Sequence, residues 1–167
     1  MSLSSYFNAL FNGQNILLVT KTVTIASMGI AAGAGLSYNA MIMPAVQKFS
    51  PMNALAVWCE CAFPAMLIQI TAIATSVIGG TIVYYKTKNR SFLYGAMIMA
   101  SVLPYTGVMF FPINSELFRM NKSGIDDGTV WEKMQQWNRN QYGRVLLNVA
   151  AMVVTLFGGL QGKTKTV

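Results

Sequence analysis

The residues best suited to chemistry form one stripe on a predicted helix near the end of the chain. Trp137, Gln141, Arg144 and Asn148 recur at the spacing i, i+4, i+7 and i+11, which is a single helical face. They offer a flat aromatic wall, two amides and a fixed cation with five hydrogen-bond donors. A stripe of these groups is suited to holding an anionic or phenolic ligand.

Each of these residues also has an ordinary role in a membrane protein. Arg144 could extend toward lipid head groups, and Trp137 could anchor a helix at the membrane interface. The direction in which the stripe faces therefore decides between a ligand site and a lipid contact.

Three more polar residues come to the same membrane face if the apolar spans alternate in direction. Asn39 lies near the end of the first span, Glu60 at the start of the second and Asn114 after the third. An ionisable group near the end of a membrane helix is costly unless it pairs with an opposite charge or lies in a hydrated cavity. Glu60 is therefore predicted to be either an exposed interfacial carboxylate or a proton carrier paired with Arg144. Asn114 follows Pro112, where it could instead cap a turn.

The elements that must position these residues are membrane helices. The chain has 167 residues, 54% hydrophobic and 10% charged, whereas about a quarter of the residues of a soluble domain are charged. Roughly 20 apolar residues span a bilayer as a helix. The long stretches without charge predict one transmembrane domain over residues 1–167, with approximate spans at 22–47, 61–85, 91–112 and 142–162. We therefore predict an all-α fold, an integral membrane bundle of four antiparallel helices.

The N-terminal segment is predicted to form a short helix in the membrane interface, because Leu3, Phe7, Leu10 and Phe11 recur at helical spacing. A frayed terminus is the alternative. The basic residues divide evenly between the two membrane faces, and the compact loop at 86–90 favours cytoplasmic termini.

Small residues in the first span predict close helix packing. Gly29, Gly33 and Ser37 recur every four residues, the spacing that lets helix backbones approach each other in lipid. This packing is expected either inside the bundle or between copies of the chain, so a homo-oligomer is left open.

Composition also excludes several kinds of chemistry. The chain contains no histidine, which removes the common general base and the usual ligand of haem and non-haem iron. Cys59 and Cys61 are two residues apart, which is neither a redox CxxC pair nor a zinc knuckle. The net charge of +7 fits basic residues that flank membrane spans and contact lipid head groups. We expect membrane lipid as a partner, and no metal, cofactor or nucleic acid.

Three stretches resemble a known family. "YNAMIMPAV" near the end of span one, "LPYTGVMFFPINSEL" through span three and "WNRNQYGR" leading into span four are similar to the four-helix integral membrane family that includes the fungal anthrone oxygenases. Its motifs are a proline closing span one, a Pro-x-Asn-x-x-Leu that begins here at Pro112, and a Trp-x-x-x-His-x-x-Arg. This chain has Trp137 and Arg144, but Gln141 stands in the place of the histidine.

The resemblance implies a cofactor-independent enzyme of secondary metabolism in the endoplasmic reticulum, which oxidises a polycyclic aromatic polyketide with molecular oxygen. An anthrone's central methylene, once deprotonated, gives an electron-rich anion that reacts with oxygen directly. The protein then needs to supply only a base, a cation and a pocket.

Carried onto this chain, the family's chemistry assigns a role to each candidate residue. Arg144 would stabilise the anion and Trp137 would stack on the substrate ring. A glutamine amide cannot replace a histidine base, which leaves Glu60 as the nearby candidate. Hydrogen bonds that position the substrate would come from Asn39, Asn114, Gln141 and Asn148.

Two other functions are left open by the sequence. The same scaffold could guide cyclisation or isomerisation of a lipophilic biosynthetic intermediate, with Glu60 as an acid. A non-enzymatic membrane scaffold is the third reading. It predicts that Arg144, Glu60 and Asn114 face lipid head groups, with no lipophilic cavity between the helices.

Overall fold

Four long helices make up the described part of the chain. The computed structural model describes residues 13–161, and the predicted interfacial helix around Leu3, Phe7, Leu10 and Phe11 lies outside these residues. Within them no strand occurs. The helices are α1 (Gly13–Val46), α2 (Pro51–Thr87), α3 (Arg90–Ser123) and α4 (Val130–Gln161).

All four helices are long and apolar enough to cross a membrane. Each contains an 18-residue window with a mean hydropathy between 1.4 and 1.8. Only 17% to 28% of each window is buried inside the bundle, so most of the apolar side chains point outward, where lipid would cover them. The predicted all-α fold and four-helix membrane bundle are confirmed.

The turns between the helices are short, which makes chain neighbours antiparallel. Pro51 begins α2 at a position where its missing amide costs no helical hydrogen bond. Lys88 ends α2 and Gly124 ends α3, both with left-handed backbone (φ 58° and 68°). The Oδ1 atom of Asn89 caps α3 by accepting a 3.0 Å hydrogen bond from the amide of Ser91.

The helices are arranged as a square. α1 packs against α2 and α4, α3 packs against the same two helices, and the diagonal pair α2 and α4 makes far fewer contacts. Small and flexible residues fill the middle of the bundle, among them Met28, Ala31, Ala72, Met99 and Ala151. The end nearest the 47–50 and 124–129 turns is filled instead by large aromatic residues, which include Tyr38, Trp58, Phe110 and Trp137.

The connection expected between the third and fourth spans is mostly helical. α3 continues through Pro104 and Pro112 to Ser123, and α4 begins at Val130. A proline removes one helical hydrogen bond, which a long packed helix tolerates. The helices thus extend past the predicted spans. Asn114 lies inside a helix, so the alternative in which it caps a turn is wrong.

A π-helical turn interrupts α1 at Tyr38–Ile42, where the amide of Met43 bonds to the carbonyl of Tyr38. Pro44, just after it, has no amide to donate. The wider turn leaves the consecutive residues Tyr38 and Asn39 both buried, which a regular helix face does not favour. π-turns of this kind are frequent at functional sites.

Candidate functional site

A cavity of about 230 Å³ lies in the aromatic end of the bundle. Side chains from all four helices line it: Tyr38 from α1, Trp58 and Gln69 from α2, Phe110 and Asn114 from α3, and Trp137 and Arg144 from α4. A mostly apolar hollow with a few polar groups is the usual form of a small-molecule site.

Trp137 is the centre of the aromatic wall. Its ring lies 5.1 Å from that of Tyr38, 5.2 Å from that of Trp58 and 5.5 Å from that of Phe110, measured between centroids. The contacts with Trp58 and Phe110 are edge-to-face, at 84° and 83°, the arrangement that aromatic quadrupoles favour. Its Nε1 donates a 2.9 Å hydrogen bond to the Oδ1 atom of Asn114, so the asparagine fixes the orientation of the wall.

Among the described residues that line the cavity, Arg144 is the one that carries a charge. Its guanidinium lies 4.6 Å from the centroid of the Phe110 ring, a cation–π distance. One terminal nitrogen donates a 2.5 Å hydrogen bond to the Oε1 atom of Gln141. In residues 13–161 the single ion pair joins Lys133 to Glu116, so no described carboxylate neutralises Arg144.

Gln141 holds Arg144 by a hydrogen bond and does not itself line the cavity. It is fully buried, and its Nε2 donates a 3.2 Å hydrogen bond to the carbonyl of Gly35 on α1. A Cβ atom at Gly35 would lie 2.8 Å from Cγ2 of Val145 and 3.0 Å from Nε2 of Gln141. Glycine at position 35 therefore allows the close approach of α1 and α4 on which this contact depends.

Asn39 and Asn148, two more of the predicted site residues, also lie outside the cavity. Asn39 donates from Nδ2 to the carbonyl of Asn138 at 2.9 Å and to its Oδ1 atom at 2.6 Å, and so ties α1 to α4. Asn148 is buried one helical turn beyond Arg144, with no partner for its Oδ1 atom among the described residues.

Glu60 is exposed and does not line the cavity. Trp58 and Cys59 on the same turn face the interior, and the helical rotation of about 100° per residue carries Glu60 to the outside. The predicted pairing of Glu60 with Arg144 is wrong, since Arg144 is instead held by Gln141 and Phe110.

Several lining residues were not among the sequence predictions. Tyr38 is brought inward by the π-turn, and Trp58 and Phe110 lie in apolar runs where nothing marks them as special. Gln69 carried a usable signal, because an amide in the middle of a charge-free membrane span is costly and marks either a polar contact or a site.

The cavity opens sideways, between α2 and α3. Phe63 and Met66 from α2 and Phe118 from α3 line it, and all three are also exposed on the outer surface. Glu60 precedes this opening on α2, and Glu116 lies beside it on α3. Carboxylates are costly inside the hydrocarbon layer, so we expect the mouth to lie near the edge of that layer.

Four lining residues carry a buried polar atom that has no hydrogen-bond partner among residues 13–161. These atoms are the hydroxyl of Tyr38, Nε1 of Trp58, Nε2 of Gln69 and Nε of Arg144. Buried donors are normally paired. Four unpaired donors around one hollow therefore point to a ligand that carries acceptor oxygens.

No cluster of three His, Cys, Asp or Glu side chains that could hold a metal ion occurs in the part of the chain that the structure describes. A family model described as anthrone oxygenase matches residues 58–154, more than half of the chain. The match includes every lining residue discussed above except Tyr38. No curated protein and no solved structure shows a significant match.

Proposed function

Because the chain belongs to the anthrone oxygenase family, we propose that it is a multi-pass membrane enzyme that oxidises a lipophilic polycyclic phenol with molecular oxygen and no added cofactor. One observation carries this proposal: an aromatic cavity between the helices contains a single guanidinium with no carboxylate partner in the described chain. Such a site suits a flat, electron-rich anion.

The proposed reaction converts the methylene of an anthrone into a ketone. The substrate anion gives electrons to oxygen, a carbon–oxygen bond forms, and the resulting hydroperoxide loses water. One oxygen atom of the gas enters the new carbonyl and the other leaves as water, so atoms and electrons balance without a further reductant.

The cavity residues have distinct roles in this scheme. Arg144 stabilises the anion, while Trp137 and Phe110 form the walls against which the rings pack. Asn114 fixes the Trp137 indole. Neither histidine nor a carboxylate lines the described cavity. The substrate therefore loses its proton to water at the membrane interface, and the site selects the ionised form.

The alternatives make different demands on the cavity. A non-enzymatic scaffold predicted no lipophilic hollow, and the presence of one supports an enzyme. Cyclisation or isomerisation would use the same walls, but an acid-driven version would need a proton donor such as Glu60, which is exposed outside the cavity.

Isotope labelling separates these functions. The protein is reconstituted in lipid nanodiscs and supplied with a set of hydroxylated anthrones and heavy oxygen gas. The masses of the products are measured by mass spectrometry. Empty nanodiscs give the background of spontaneous oxidation. We expect one heavy oxygen in the product, at a rate well above background.

Two results would count against the oxygenase. A product with unchanged mass but altered structure would indicate a cyclase or isomerase. No product above the empty-nanodisc rate, for any anthrone in the set, would favour the scaffold. Secondary metabolism and the endoplasmic reticulum stay predictions, which deletion of the gene with metabolite profiling and imaging of a tagged protein would test.

A further inference from the structure

The unpaired donors of the cavity lie at two separated places. Trp58 contacts Phe118 at the mouth, with 5.7 Å between ring centroids, and contacts Trp137 on its other side at 5.2 Å. Arg144 instead contacts Phe110, which precedes Phe118 by about two helical turns on α3. A row of contacts therefore runs from Phe118 beside the mouth through Trp58, Trp137 and Phe110 to Arg144.

Gln69 belongs to the inner end of this row. Its Nε2 atom lies 3.8 Å from the place that a Cβ of Gly35 would occupy, and Nε2 of Gln141 lies 3.0 Å from the same place. Gln141 in turn holds Arg144. The inner end thus combines the guanidinium with a buried amide, whereas Trp58 is the unpaired donor near the mouth.

The indole nitrogen of Trp58 can only donate a hydrogen bond. The residue is 1% exposed, and Nε1 has no partner among the described residues. A buried donor left unpaired is unfavourable, because it has lost its hydrogen bond to water. A ligand with an acceptor at the mouth end would remove this cost, and an otherwise identical ligand without that acceptor would not.

We propose that Trp58 is a specificity-determining residue for an elongated aromatic anion. Arg144 binds the charged end of this anion, and Trp58 donates a hydrogen bond to a second acceptor oxygen at the other end. This inference rests on the proposed function, since it concerns the same cavity. It narrows the substrate class to flat molecules that carry a negative charge at one end and a carbonyl or ether oxygen at the other.

Binding of three matched probes tests the proposal. The first is 6-acetyl-2-naphthoate, with a carboxylate at one end and a carbonyl at the other. In 6-isopropenyl-2-naphthoate an alkene of the same shape replaces the carbonyl, and in 6-acetyl-2-naphthamide the charge is absent. Affinities are measured by calorimetry with the full chain in nanodiscs, and empty nanodiscs correct for partition into lipid.

We expect wild-type protein to bind the ketone roughly threefold to tenfold more tightly than the alkene, the range for one net hydrogen bond. In Trp58→Phe this ratio falls to about one, while the preference for the carboxylate over the carboxamide is kept. In Arg144→Gln the carboxylate preference is lost and the ketone preference is kept. This crossed pattern would not arise from a general loss of packing.

Equal binding of ketone and alkene by the wild-type protein overturns the proposal, even if Trp58→Phe fails to fold. An unchanged ketone preference in a folded Trp58→Phe protein also overturns it. The assay needs no turnover, so its result is independent of the labelling experiment. Ketone selectivity without oxygen incorporation would refute the oxygenase alone, and oxygen incorporation without ketone selectivity would refute the role of Trp58 alone.

Discussion

Arg144 donates a 2.5 Å hydrogen bond to the Oε1 atom of Gln141, which precedes it by one helical turn. The other end of the same amide donates to the carbonyl of Gly35. Both ends of the buried Gln141 are therefore used within the protein, and its effect on a ligand acts through Arg144. A neutral histidine also has one donor and one acceptor, so the family's histidine and this glutamine can serve the same positioning role.

The first prediction concerns position 141. We expect Gln141→His to keep turnover within about threefold, because a neutral imidazole can accept from Arg144 and donate to Gly35. Gln141→Met, which is similar in size but offers neither bond, should lower kcat/KM by roughly tenfold, the cost of about one lost hydrogen bond. Steady-state kinetics over pH 5–9 makes the comparison. A large rise of kcat in Gln141→His, with an ascending limb near pH 6.5, would instead identify position 141 as a base.

Arg144 itself should matter more than any other cavity residue. We expect Arg144→Gln to lower kcat by about a hundredfold to a thousandfold, the usual result of removing a group that stabilises developing charge. Arg144→Lys should recover only part of this, because an ammonium lacks the planar fork that fits both Phe110 and Gln141. Turnover comparable to wild type in a folded Arg144→Gln protein would remove the guanidinium from the mechanism.

Substitution of Glu60 is expected to have almost no effect on turnover. The carboxylate is exposed and outside the cavity, so Glu60→Gln should leave kcat and KM within about twofold of wild type. The same assay as for Arg144 applies. A drop of kcat comparable to that of Arg144→Gln would restore Glu60 as the proton carrier, through a conformation in which α2 is rotated.

Two glycines of α1 form a matched pair for the helix contact behind the site. A Cβ at Gly35 would meet Val145 at 2.8 Å, whereas a Cβ at Gly33 meets nothing within 4 Å. Gly35→Ala should therefore destabilise the bundle by about 1–3 kcal/mol and lower turnover by displacing Gln141, while Gly33→Ala should be neutral or slightly stabilising. Thermal unfolding in nanodiscs and kcat measure the two effects. Equal behaviour of the two variants would contradict the close approach of α1 and α4.

The sequence predicted the bundle because its signal is repeated in every span: charge-free stretches of membrane length need no tertiary information. It also identified the stripe of α4 but left its direction open, and the structure buries three of its residues, Trp137, Gln141 and Asn148. Helix ends were harder, because α2, α3 and α4 continue beyond the apolar stretches. Hydropathy measures where lipid contacts the chain and does not report where a helix ends.

The sequence could not predict which side chains contact each other between helices. For Glu60 the sequence left two alternatives, pairing with Arg144 or an exposed carboxylate, and the helical rotation past Trp58 places it on the outer surface. Tyr38 was missed because the π-turn changes the helical register by one residue, which no periodicity count includes. Predicting either would have required knowing how α1 and α2 are rotated about their own axes.

The lateral mouth leads to a final prediction about how substrate arrives. Phe63 and Phe118 are 60% and 44% exposed and also line the cavity, so a lipophilic molecule dissolved in the bilayer can pass between α2 and α3. We expect Phe63→Trp to narrow this passage and to raise KM several-fold with little change in kcat. Phe157→Trp, at an equally exposed site of α4 away from the mouth, is the matched control.

If substrate comes from the bilayer, the apparent KM should follow its mole fraction in the lipid and not its total concentration. A KM that is insensitive both to added lipid and to Phe63→Trp would indicate entrance from the aqueous end of the bundle.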